Sequence, residues 1–412
     1  MKHIIVIGGG AAGFFCAINA AKNNANFRVT ILEKSFKLLS KVKVSGGGRC
    51  NVSHATNSIA DTIKKYPRGE RFLKQAFHEF FTNDTIQWFQ EKGVELKTEI
   101  DGRMFPQSNS SQTIIDCFLN EADDKGIKIE LGKEVKSITK DTENFPGQFS
   151  VLLKDGITIA ADYVCIACGG FPKSLQYEWL QNLGHSIIEP VPSLFTFNIP
   201  QHPITQLMGI SVENAEVKIS GSKYLQSGPL LITHWGISGP VVLKLSAYAA
   251  RELNEKDYHF SVRINWAPDF NETTFLEKIR DLRNQIATNK VASRNVIGLP
   301  NRLWIFLLSQ AGIDEDMRWG DLSARHQNLL AKLVCAFEME IKGKTTFKEE
   351  FVTAGGINLS EVNALTMESK IIPQLFFAGE ILNVDGITGG YNFQHAWTSG
   401  WLAARRIREY AE

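Results

Sequence analysis

The sequence predicts an α/β fold built on a parallel sheet, with a second domain inserted into the chain. An apolar strand at residues 2–7 runs directly into a glycine-rich turn that opens a helix of small residues. From residue 193 to about 266 polar and apolar residues alternate as in the strands of an antiparallel sheet. From 271 to about 336 the apolar residues recur with the period of a helix. These features indicate an outer domain whose two halves flank an insertion.

The predicted elements follow from the same periodicities. The outer domain, at 1–192 and 351–412, is expected to contain a helix at 11–24, a strand at 28–32, a polar loop at 35–57, helices at 71–92 and 112–125, strands at 127–131, 134–139, 149–154 and 163–167 with a turn at 144–147, a strand at 375–379 and a helix at 393–411. The insertion, at 193–350, is expected to be mainly β over 193–268 and 337–350 and helical over 269–336, with strands at 215–219, 259–264, 337–341 and 347–353 and helices at 274–287, 302–311 and 324–337.

The turn after the first strand has the spacing of a dinucleotide-binding fingerprint. Gly8, Gly10 and Gly13 form G-x-G-x-x-G between a strand and a helix, and Glu33 ends the second strand twenty residues later. In this context glycine lets the backbone approach a pyrophosphate, and a carboxylate at that distance accepts the hydroxyls of an adenosine ribose. The alternative is an ordinary βαβ unit with a tight turn. The fingerprint predicts a bound dinucleotide and leaves NAD and FAD open.

The overall composition argues against several classes of protein. The 412 residues include 45 Lys and Arg against 44 Asp and Glu, so electrostatics give no reason to expect nucleic acid or an anionic membrane as partner. No apolar run is long enough to cross a bilayer, and no signal peptide is expected because the first strand starts at Lys2. The six cysteines are scattered, which favours a cytoplasmic location. A small-molecule substrate is expected, and the oligomeric state is not predicted.

A second glycine-rich segment, Ser45-Gly46-Gly47-Gly48-Arg49-Cys50-Asn51, is the most distinctive motif after the fingerprint. Three consecutive glycines beside a fixed cation and an amide offer many unobstructed hydrogen-bond donors, which suits the polar edge of a flavin. A flexible surface loop is the alternative. Just upstream, Lys41 is a candidate phosphate contact, with a solvated basic turn as the alternative.

A third glycine-rich segment lies near the carboxyl terminus. The strand that ends at Gly379-Glu380 is followed by Asp385-Gly386-Ile387-Thr388-Gly389-Gly390-Tyr391-Asn392-Phe393-Gln394, which opens the final helix. This order brings a carboxylate toward a ribityl chain and aims a helix N-terminus at the negative charge of a reduced flavin. A simple capped helix is the alternative.

The remaining candidate groups have less specific signals. Cys165 and Cys168 have C-x-x-C spacing, but they lie on a strand ending in glycines and not at a helix N-terminus, so a structural role is favoured over a redox dithiol. No metal is expected, because no second Cys/His pair accompanies them. His234 and Arg103 are candidates for substrate contact, with a structural histidine and a surface ion pair as alternatives.

Together these segments resemble the HI0933-like, or aminoacetone-oxidase-like, family of FAD-dependent oxidoreductases. The resemblance spans nearly the whole chain and is carried by the motifs around residues 8–13 with Glu33, 45–51, 101–106, 167–170, 233–240, 353–356 and 377–394. It implies a glutathione-reductase-type FAD-binding Rossmann domain with an inserted β-barrel-like domain and a helical subdomain. Two positions depart from the related flavoproteins, which usually have Thr at Cys168 and Asp at Glu380.

By the same resemblance FAD is bound non-covalently, with Glu33 at the adenosine ribose and the backbone of Val135 at the adenine. The full set of expected cofactor contacts is Gly8, Gly10, Ala12, Gly13, Glu33, Lys34, Lys41, Ser45, Gly48, Arg49, Cys50, Asn51, Val135, Ala167, Gly169, Gly379, Glu380, Asp385, Gly390, Asn392 and Phe393.

The expected reaction is hydride transfer between flavin N5 and a small organic substrate. No second strand-turn-helix carries G-x-G-x-x-G, so NAD(P)H is expected only as a transient donor that visits the open flavin face. Catalytic residues are not assigned, and the candidates are Arg103, His234 and Tyr391. The alternatives are an amine oxidase that uses oxygen and a non-catalytic flavin-binding redox or RNA accessory protein.

Overall fold

The computed structural model describes residues 1–21, 26–141, 148–346 and 352–410. The chain divides into two units, one formed by Met1–Ser193 with Lys348–Glu412 and the other by Leu194–Phe347. Within the described residues, no helix combines the length and the apolar character needed to cross a membrane.

The elements are named here in chain order. The first unit begins with β1 (Lys2–Ile7), α1 (Ala11–Ala20), β2 (Phe27–Glu33), α2 (Ser40–Gly48), β3 (Ser53–His54), α3 (Ile59–Ile63), α4 (Glu70–Glu79), α5 (Thr82–Gln90), β4 (Leu96–Thr98), β5 (Arg103–Pro106), α6 (Ser111–Asp124), β6 (Lys128–Leu131), β7 (Val135–Asp141), β8 (Gln148–Leu153), β9 (Thr158–Ala161), β10 (Tyr163–Ile166), α7 (Glu178–Gln181) and β11 (Ile187–Ser193). The second unit contains β12 (Thr196–Asn198), β13 (Ser211–Ile219), β14 (Leu225–Ile232), β15 (Gly236–Ser238), α8 (Pro240–Tyr248), α9 (Ala250–Glu255), β16 (His259–Asn265), α10 (Glu272–Gln285), α11 (Asn301–Gln310), α12 (Ala324–Cys335), β17 (Phe337–Lys342) and β18 (Lys344–Thr345). The first unit ends with β19 (Val352–Ile357), β20 (Leu375–Phe377) and α13 (Tyr391–Glu409).

A five-stranded parallel sheet in the order β20-β10-β1-β2-β6 forms the centre of the first unit. Its strands are apolar runs because both faces of a parallel sheet are buried, and β1 is buried from His3 to Ile7. All five strands end at the same edge. The predicted α/β fold with a Rossmann-type sheet is confirmed, and the polar loops that follow β1, β2, β10 and β20 meet at that edge.

The first and last helices pack unusually closely beside this sheet. A Cβ on Gly400 of α13 would lie 2.8 Å from the Ala12 carbonyl oxygen and 3.1 Å from the Cys16 nitrogen of α1. A Cβ on Gly379 would lie 2.8 Å from the Ala12 Cβ. The absence of side chains at these glycines therefore sets the distance between the two ends of the chain.

The second unit is built on a seven-stranded sheet in the order β17-β16-β13-β14-β15-β12-β18. Only Gly343 separates β17 from β18, although these are the two edge strands, so the edges of the sheet come together. This curvature gives the predicted barrel-like β part. Helices α10 to α12 form the predicted helical part, with Trp304 and Trp319 in its core.

Two segments differ from the sequence-based prediction, and a third is not described by the structure. The loop predicted at 35–57 contains α2 and β3, because Ser40–Gly48 forms a turn of helix before its glycines leave helical geometry. The helix predicted at 71–92 is two helices, since Phe80 is extended and Asp84 caps α5 by accepting the Phe81 N–H at 2.7 Å. The turn predicted at 144–147 lies outside the described residues.

The mainly β region also contains two helices that the alternation did not predict. Gly239, with φ of 94°, precedes Pro240 at the first position of α8. Proline favours that position because it has no N–H to donate, and the apolar run that follows lacks the polar alternation of a strand. Helix α9 follows α8 directly.

The C-x-x-C pair has the properties of structural cysteines. A hydrogen bond with Cys16, together with burial, raises the pKa of the Cys165 thiol well above its ordinary value. Burial raises the pKa of Cys168 to about 12. Both thiols stay protonated at neutral pH, whereas redox dithiols rely on a lowered pKa. The structure therefore supports the structural interpretation of this motif.

The contact between α1 and α13 yields a stability prediction. Gly400→Val places atoms where the Ala12 carbonyl already lies, so we expect the free energy of unfolding to fall by about 1–3 kcal/mol. Urea unfolding followed by circular dichroism measures the change, with Glu409→Val at an exposed position of the same helix as control. Equal stability of the two variants would contradict the packing account.

Candidate functional site

The glycine turn after β1 combines two tight contacts with one open position. A Cβ on Gly8 would lie 2.4 Å from the Ala167 carbonyl oxygen, and a Cβ on Gly13 would lie 2.0 Å from the Gly8 carbonyl oxygen. A Cβ on Gly10 would meet nothing within 4 Å. Gly10 precedes the first residue of α1, which has no side-chain cap and no acidic residue in its first turn. Gly8 and Gly13 thus close the turn, while Gly10 faces space in which an anion would meet free N–H groups.

Glu33 is fixed beside this turn by the backbone. Its Oε2 accepts the Gly9 N–H at 2.8 Å, and its Oε1 accepts the Ser35 N–H at 2.8 Å. Each carboxylate oxygen keeps a free lone pair, so Glu33 can still accept hydroxyl groups. The carbonyl of Glu33 accepts the Lys133 N–H at 2.9 Å, which brings the start of β7 at Val135 near this end of the sheet. Both predicted adenosine contacts therefore lie at the same edge.

A second carboxylate, Glu380, lies where β20 ends. Its Oε1 accepts the Thr353 N–H at 2.8 Å, and its Oε2 lies 2.6 Å from the Lys41 ammonium. A Cβ on Gly170 would lie 2.5 Å from the Thr353 hydroxyl and 3.2 Å from Glu380 Oε1, so the loop after β10 packs against the same group. Gly169 in that loop has φ of 75° and open space beside it. Lys41, Glu380 and the loop after β10 thus meet at the carboxyl edge.

Both backbone polar groups of Gly379 form hydrogen bonds with side chains of α13. Its N–H donates to the Ser399 hydroxyl at 2.8 Å, and its carbonyl lies 3.1 Å from His395 Nε2. Burial lowers the pKa of His395 to about 4, so the ring is neutral and Nε2 carries the donated proton. The sequence prediction missed His395, because only the tertiary packing of α13 brings it to the turn.

The glycine-rich segment after α2 is a run of left-handed backbone. Gly46, Gly47 and Gly48 have φ of 59°, 69° and 84°, and a Cβ on Gly47 or Gly48 would meet nothing within 4 Å. The Ser45 hydroxyl donates to the Val42 carbonyl at 3.0 Å, and the Ser45 carbonyl accepts the Cys50 N–H at 2.9 Å. The turn therefore leaves open space beside Gly47 and Gly48.

Arg49 is held flat at the end of this turn. Its guanidinium lies 3.9 Å from the centre of the Phe105 ring and 2.6 Å from the Glu99 carboxylate. Arg103 reaches the same carboxylate at 3.1 Å and also pairs with Asp101 at 2.7 Å. Arg103 therefore belongs to a surface ion network, while its neighbour Arg49 is the cation beside the glycine turn.

Cys50 and Asn51 connect this turn to the amino end of α13. Cys50 is buried in a left-handed conformation, and burial raises the pKa of its thiol to about 12. The amide of Asn51, oriented to match its neighbours, accepts the Gly390 N–H at 3.0 Å and donates to the Ser53 carbonyl at 3.0 Å. Ser53 in turn donates to Gln394 at 2.6 Å. Hydrogen bonds therefore link the glycine-rich turn after α2 to the glycine-rich turn before α13.

The amino end of α13 is open and positively polarised. Gly390 precedes it with φ of 92°, no side chain caps it, and its first turn has no acidic residue. The Asn392 side chain exchanges two hydrogen bonds with Gly386, at 2.8 and 3.0 Å, which fixes the loop before the helix. Phe393 stacks on Trp397 with ring centres 5.5 Å apart. This end of the helix can stabilise negative charge.

Asp385 is directed away from solvent and into an ion pair. Its carboxylate accepts two hydrogen bonds from Arg68 and one from Ser193 at 2.8 Å, and its side chain is fully buried. Burial raises the pKa of Asp385, while the Arg68 charge acts in the opposite direction. In this structure the carboxylate of Asp385 therefore accepts hydrogen bonds from Arg68 and Ser193. Arg68 was not predicted, because its partner lies 317 positions along the chain.

Tyr391 and His54 form a stacked pair beside the same turn. Their ring centres are 4.9 Å apart at an angle of 24°, and His54 Nδ1 lies 3.2 Å from the Gly389 carbonyl. The Tyr66 hydroxyl donates to the Tyr391 carbonyl at 2.7 Å. His54 was missed in the sequence because it reaches Tyr391 only through the pairing of β3 with β5.

Two further predicted residues are exposed, and Lys34 directly follows Glu33 at the carboxyl edge. Lys34 is exposed, with its ammonium 5.3 Å from the centre of the Phe171 ring. His234 is exposed in the second unit, where its ring contacts Trp235 edge-on at 4.4 Å. In the described part of the chain, no group of three or more His, Cys, Asp or Glu side chains is arranged to hold a metal ion.

The geometry fits FAD along its whole length. Glu33 offers acceptors for the adenosine ribose, and the open space at Gly10 before α1 suits the pyrophosphate. Glu380 and Lys41 are the groups that would contact a ribityl chain, and the open space beside Gly48 and the uncapped amino end of α13 would receive the polar edge of the isoalloxazine. A Cβ on Gly10 or Gly48 would project into this open space, whereas a Cβ on Gly390 would lie 2.5 Å from the Ser53 carbonyl.

Comparison with known proteins agrees with this geometry. A family model described as HI0933-like protein Rossmann domain matches residues 2–406. The ribosomal RNA dihydrouridine synthase of Escherichia coli is 30% identical over 413 residues, covering 98% of this chain and 97% of that protein. The 3-dehydro-bile acid delta(4,6)-reductase of Clostridium scindens is 28% identical over 418 residues, covering 99% of this chain and 100% of that protein.

A solved structure supports the same fold. The 3-ketosteroid delta1-dehydrogenase of Sterolibacterium denitrificans aligns with a TM-score of 0.52 at 12% identity, covering 100% of both chains. At this identity the likeness concerns the fold alone. The family match over nearly all residues confirms the resemblance found in the sequence: the chain belongs to the HI0933-like family and is a FAD-dependent oxidoreductase.

Proposed function

We propose that the protein is a flavin-dependent reductase that saturates a carbon–carbon double bond conjugated to a carbonyl, and that its substrate is a uridine of ribosomal RNA. The observation that carries the proposal is the chemistry shared by two relatives that match along nearly their full length. Dihydrouridine is uridine with its C5–C6 double bond reduced, and that bond is conjugated to the C4 carbonyl. The other relative is named for reducing the 4 and 6 double bonds of a 3-dehydro bile acid.

Such a reduction adds a hydride to the β carbon and a proton to the α carbon of the substrate. FAD held at this site would supply the hydride from N5, and NAD(P)H is the transient donor that would restore it. The chain has to provide a binding site, positive charge and a proton. The uncapped amino end of α13 and the Arg49 guanidinium supply the positive charge in our proposal.

His54 is the group that we propose holds the proton. An imidazole exchanges protons near neutral pH, and the ring of His54 is fixed by its stacking on Tyr391 and by the Gly389 carbonyl. Gly102 keeps room for this ring, because a Cβ there would lie 2.7 Å from His54 Nε2. The backbone around His54 is thus shaped to accept the imidazole.

The RNA part of the proposal departs from the expectation drawn from net charge. A total of 45 basic against 44 acidic residues gives no global attraction to nucleic acid. A neutral total is compatible with a basic face, however, because the local charge decides the contact with phosphate.

Gly10→Val tests the cofactor site. The position has φ of −96° and open space, so valine is tolerated by the fold but occupies the room needed by the pyrophosphate. We expect FAD affinity to fall about 10- to 100-fold, corresponding to an overpacking penalty of about 1–3 kcal/mol. Titration of the apoprotein with FAD, followed by flavin fluorescence, measures the change. Gly10→Ala is the graded control, and a Gly10→Val protein that binds FAD like the wild type would refute the assignment.

Anaerobic stopped-flow spectroscopy tests the direction of electron transfer. We expect NADH or NADPH to bleach the visible flavin band and a conjugated enone to restore it, with a ping-pong dependence on the two substrates. Replacing His54 with Gln should slow re-oxidation by the enone about 100-fold, the range of a lost general acid, while leaving bleaching unchanged. Bleaching by amines with release of hydrogen peroxide in air would instead identify an amine oxidase and contradict the proposal.

A further inference from the structure

A basic face lies on α4 and on the segment that leads into it. Lys65, Arg71 and Lys74 are exposed, and Arg71 and Lys74 are three positions apart on the helix, so they share one face. In the part of the chain that the structure describes, no carboxylate lies within ion-pair distance of Arg71 or Lys74. The acid on this face is Glu70, at the first position of α4.

An open cavity borders this face. It has a volume of about 720 Å³ and lies between the first turns of α4 and the segment 359–370. Arg71 and Gln75 line one side, and Asn363 and Lys370 line the other. The Lys370 ammonium is fixed by the Ser360 carbonyl at 2.9 Å. Two cations and two amides thus face a space of nucleotide size, together with the Glu70 carboxylate and apolar side chains that also line it. We call Lys65, Arg71, Lys74 and Lys370 the α4 surface.

The α4 surface is continuous with the loop before α13. The carbonyl of Lys65 accepts the Ile387 N–H at 2.9 Å. Three residues later Arg68 is bound to Asp385, and a Cβ on Gly69 would meet Val384 at 2.6 Å. The backbone that carries the basic residues is therefore bonded to the loop that opens α13. A chain of phosphates bound along α4 would end beside the Tyr391 turn.

We propose that the α4 surface binds the phosphate backbone of RNA and presents a uridine to the flavin site. The inference rests on the proposed function, and it adds the surface that the RNA contacts. Exposed cations without an ion-pair partner are suited to phosphate, since they displace condensed counterions without first breaking a pair. The amides of Gln75 and Asn363 add hydrogen-bond donors around the cavity.

Fluorescence anisotropy with a labelled 30-nucleotide oligouridylate tests the surface, using the FAD-bound protein over a range of KCl concentrations. Arg71→Ala combined with Lys74→Ala should weaken binding about tenfold at moderate salt. It should also reduce the slope of log affinity against log salt by about 1.4, or about 0.7 for each lost phosphate contact. The matched control is Lys136→Ala combined with Lys173→Ala, which removes two exposed lysines of the same unit and should leave affinity and slope unchanged.

A second assay, with a small enone as substrate, distinguishes a failure of the RNA-binding surface from a failure of the proposed reaction. Reduction of a small enone by the Arg71/Lys74 variant should equal that of the wild type, which shows that the flavin site is intact. Equal RNA affinity in both double variants, or no RNA binding by the wild type, would overturn the docking surface whatever the enone assay shows. Binding to vesicles containing phosphatidylserine, lost with Arg71 and Lys74 and without RNA binding, would assign the face to a membrane and overturn it as well.

Discussion

The architecture of the site depends on how closely the first and last helices approach one another. Gly400 allows α1 and α13 to pack at backbone distance, and Gly379 brings the turn after β20 against Ala12. This approach places the amino ends of the first and last helices at one edge of the sheet, although the helices are encoded at opposite ends of the chain. A side chain at Gly400 or Gly379 would separate the two halves of the cofactor site. The electrostatics of the site therefore depend on the close packing of these two helices.

Each carboxylate at this edge is fixed by hydrogen bonds from backbone N–H groups, from side chains or from both. Glu33 accepts two backbone N–H groups, and Glu380 accepts one together with the Lys41 ammonium. The buried Asp385 is compensated by Arg68. Each carboxylate is thereby fixed in place, because a buried charge is tolerated only with partners of this kind. The helix N-termini stay without acidic residues and are left available to the anionic parts of the cofactor.

Local sequence was enough to predict the fold and the glycine-rich turns at the carboxyl edge of the sheet, whereas the cofactor contacts assigned to those turns stay predictions. The G-x-G-x-x-G turn, Glu33 and the glycines around Gly48 and Gly390 have local conformational signatures, so their elements were predictable. His54, Arg68 and His395 were not, since each acts through a contact made only by tertiary packing. The divided helix at 71–92 was missed for a related reason: both Phe80 and Phe81 are apolar, and the break depends on the cap from Asp84.

A crystal structure of the protein with FAD tests the central claim most directly, namely that the two ends of the chain together form one FAD-binding site. The account predicts the pyrophosphate within hydrogen-bond distance of the first N–H groups of α1 beside Gly10, and the pyrimidine edge of the isoalloxazine at the Gly390 end of α13. Glu33 should contact the adenosine ribose. Density for the isoalloxazine away from α13, or for the pyrophosphate away from Gly10, would contradict it.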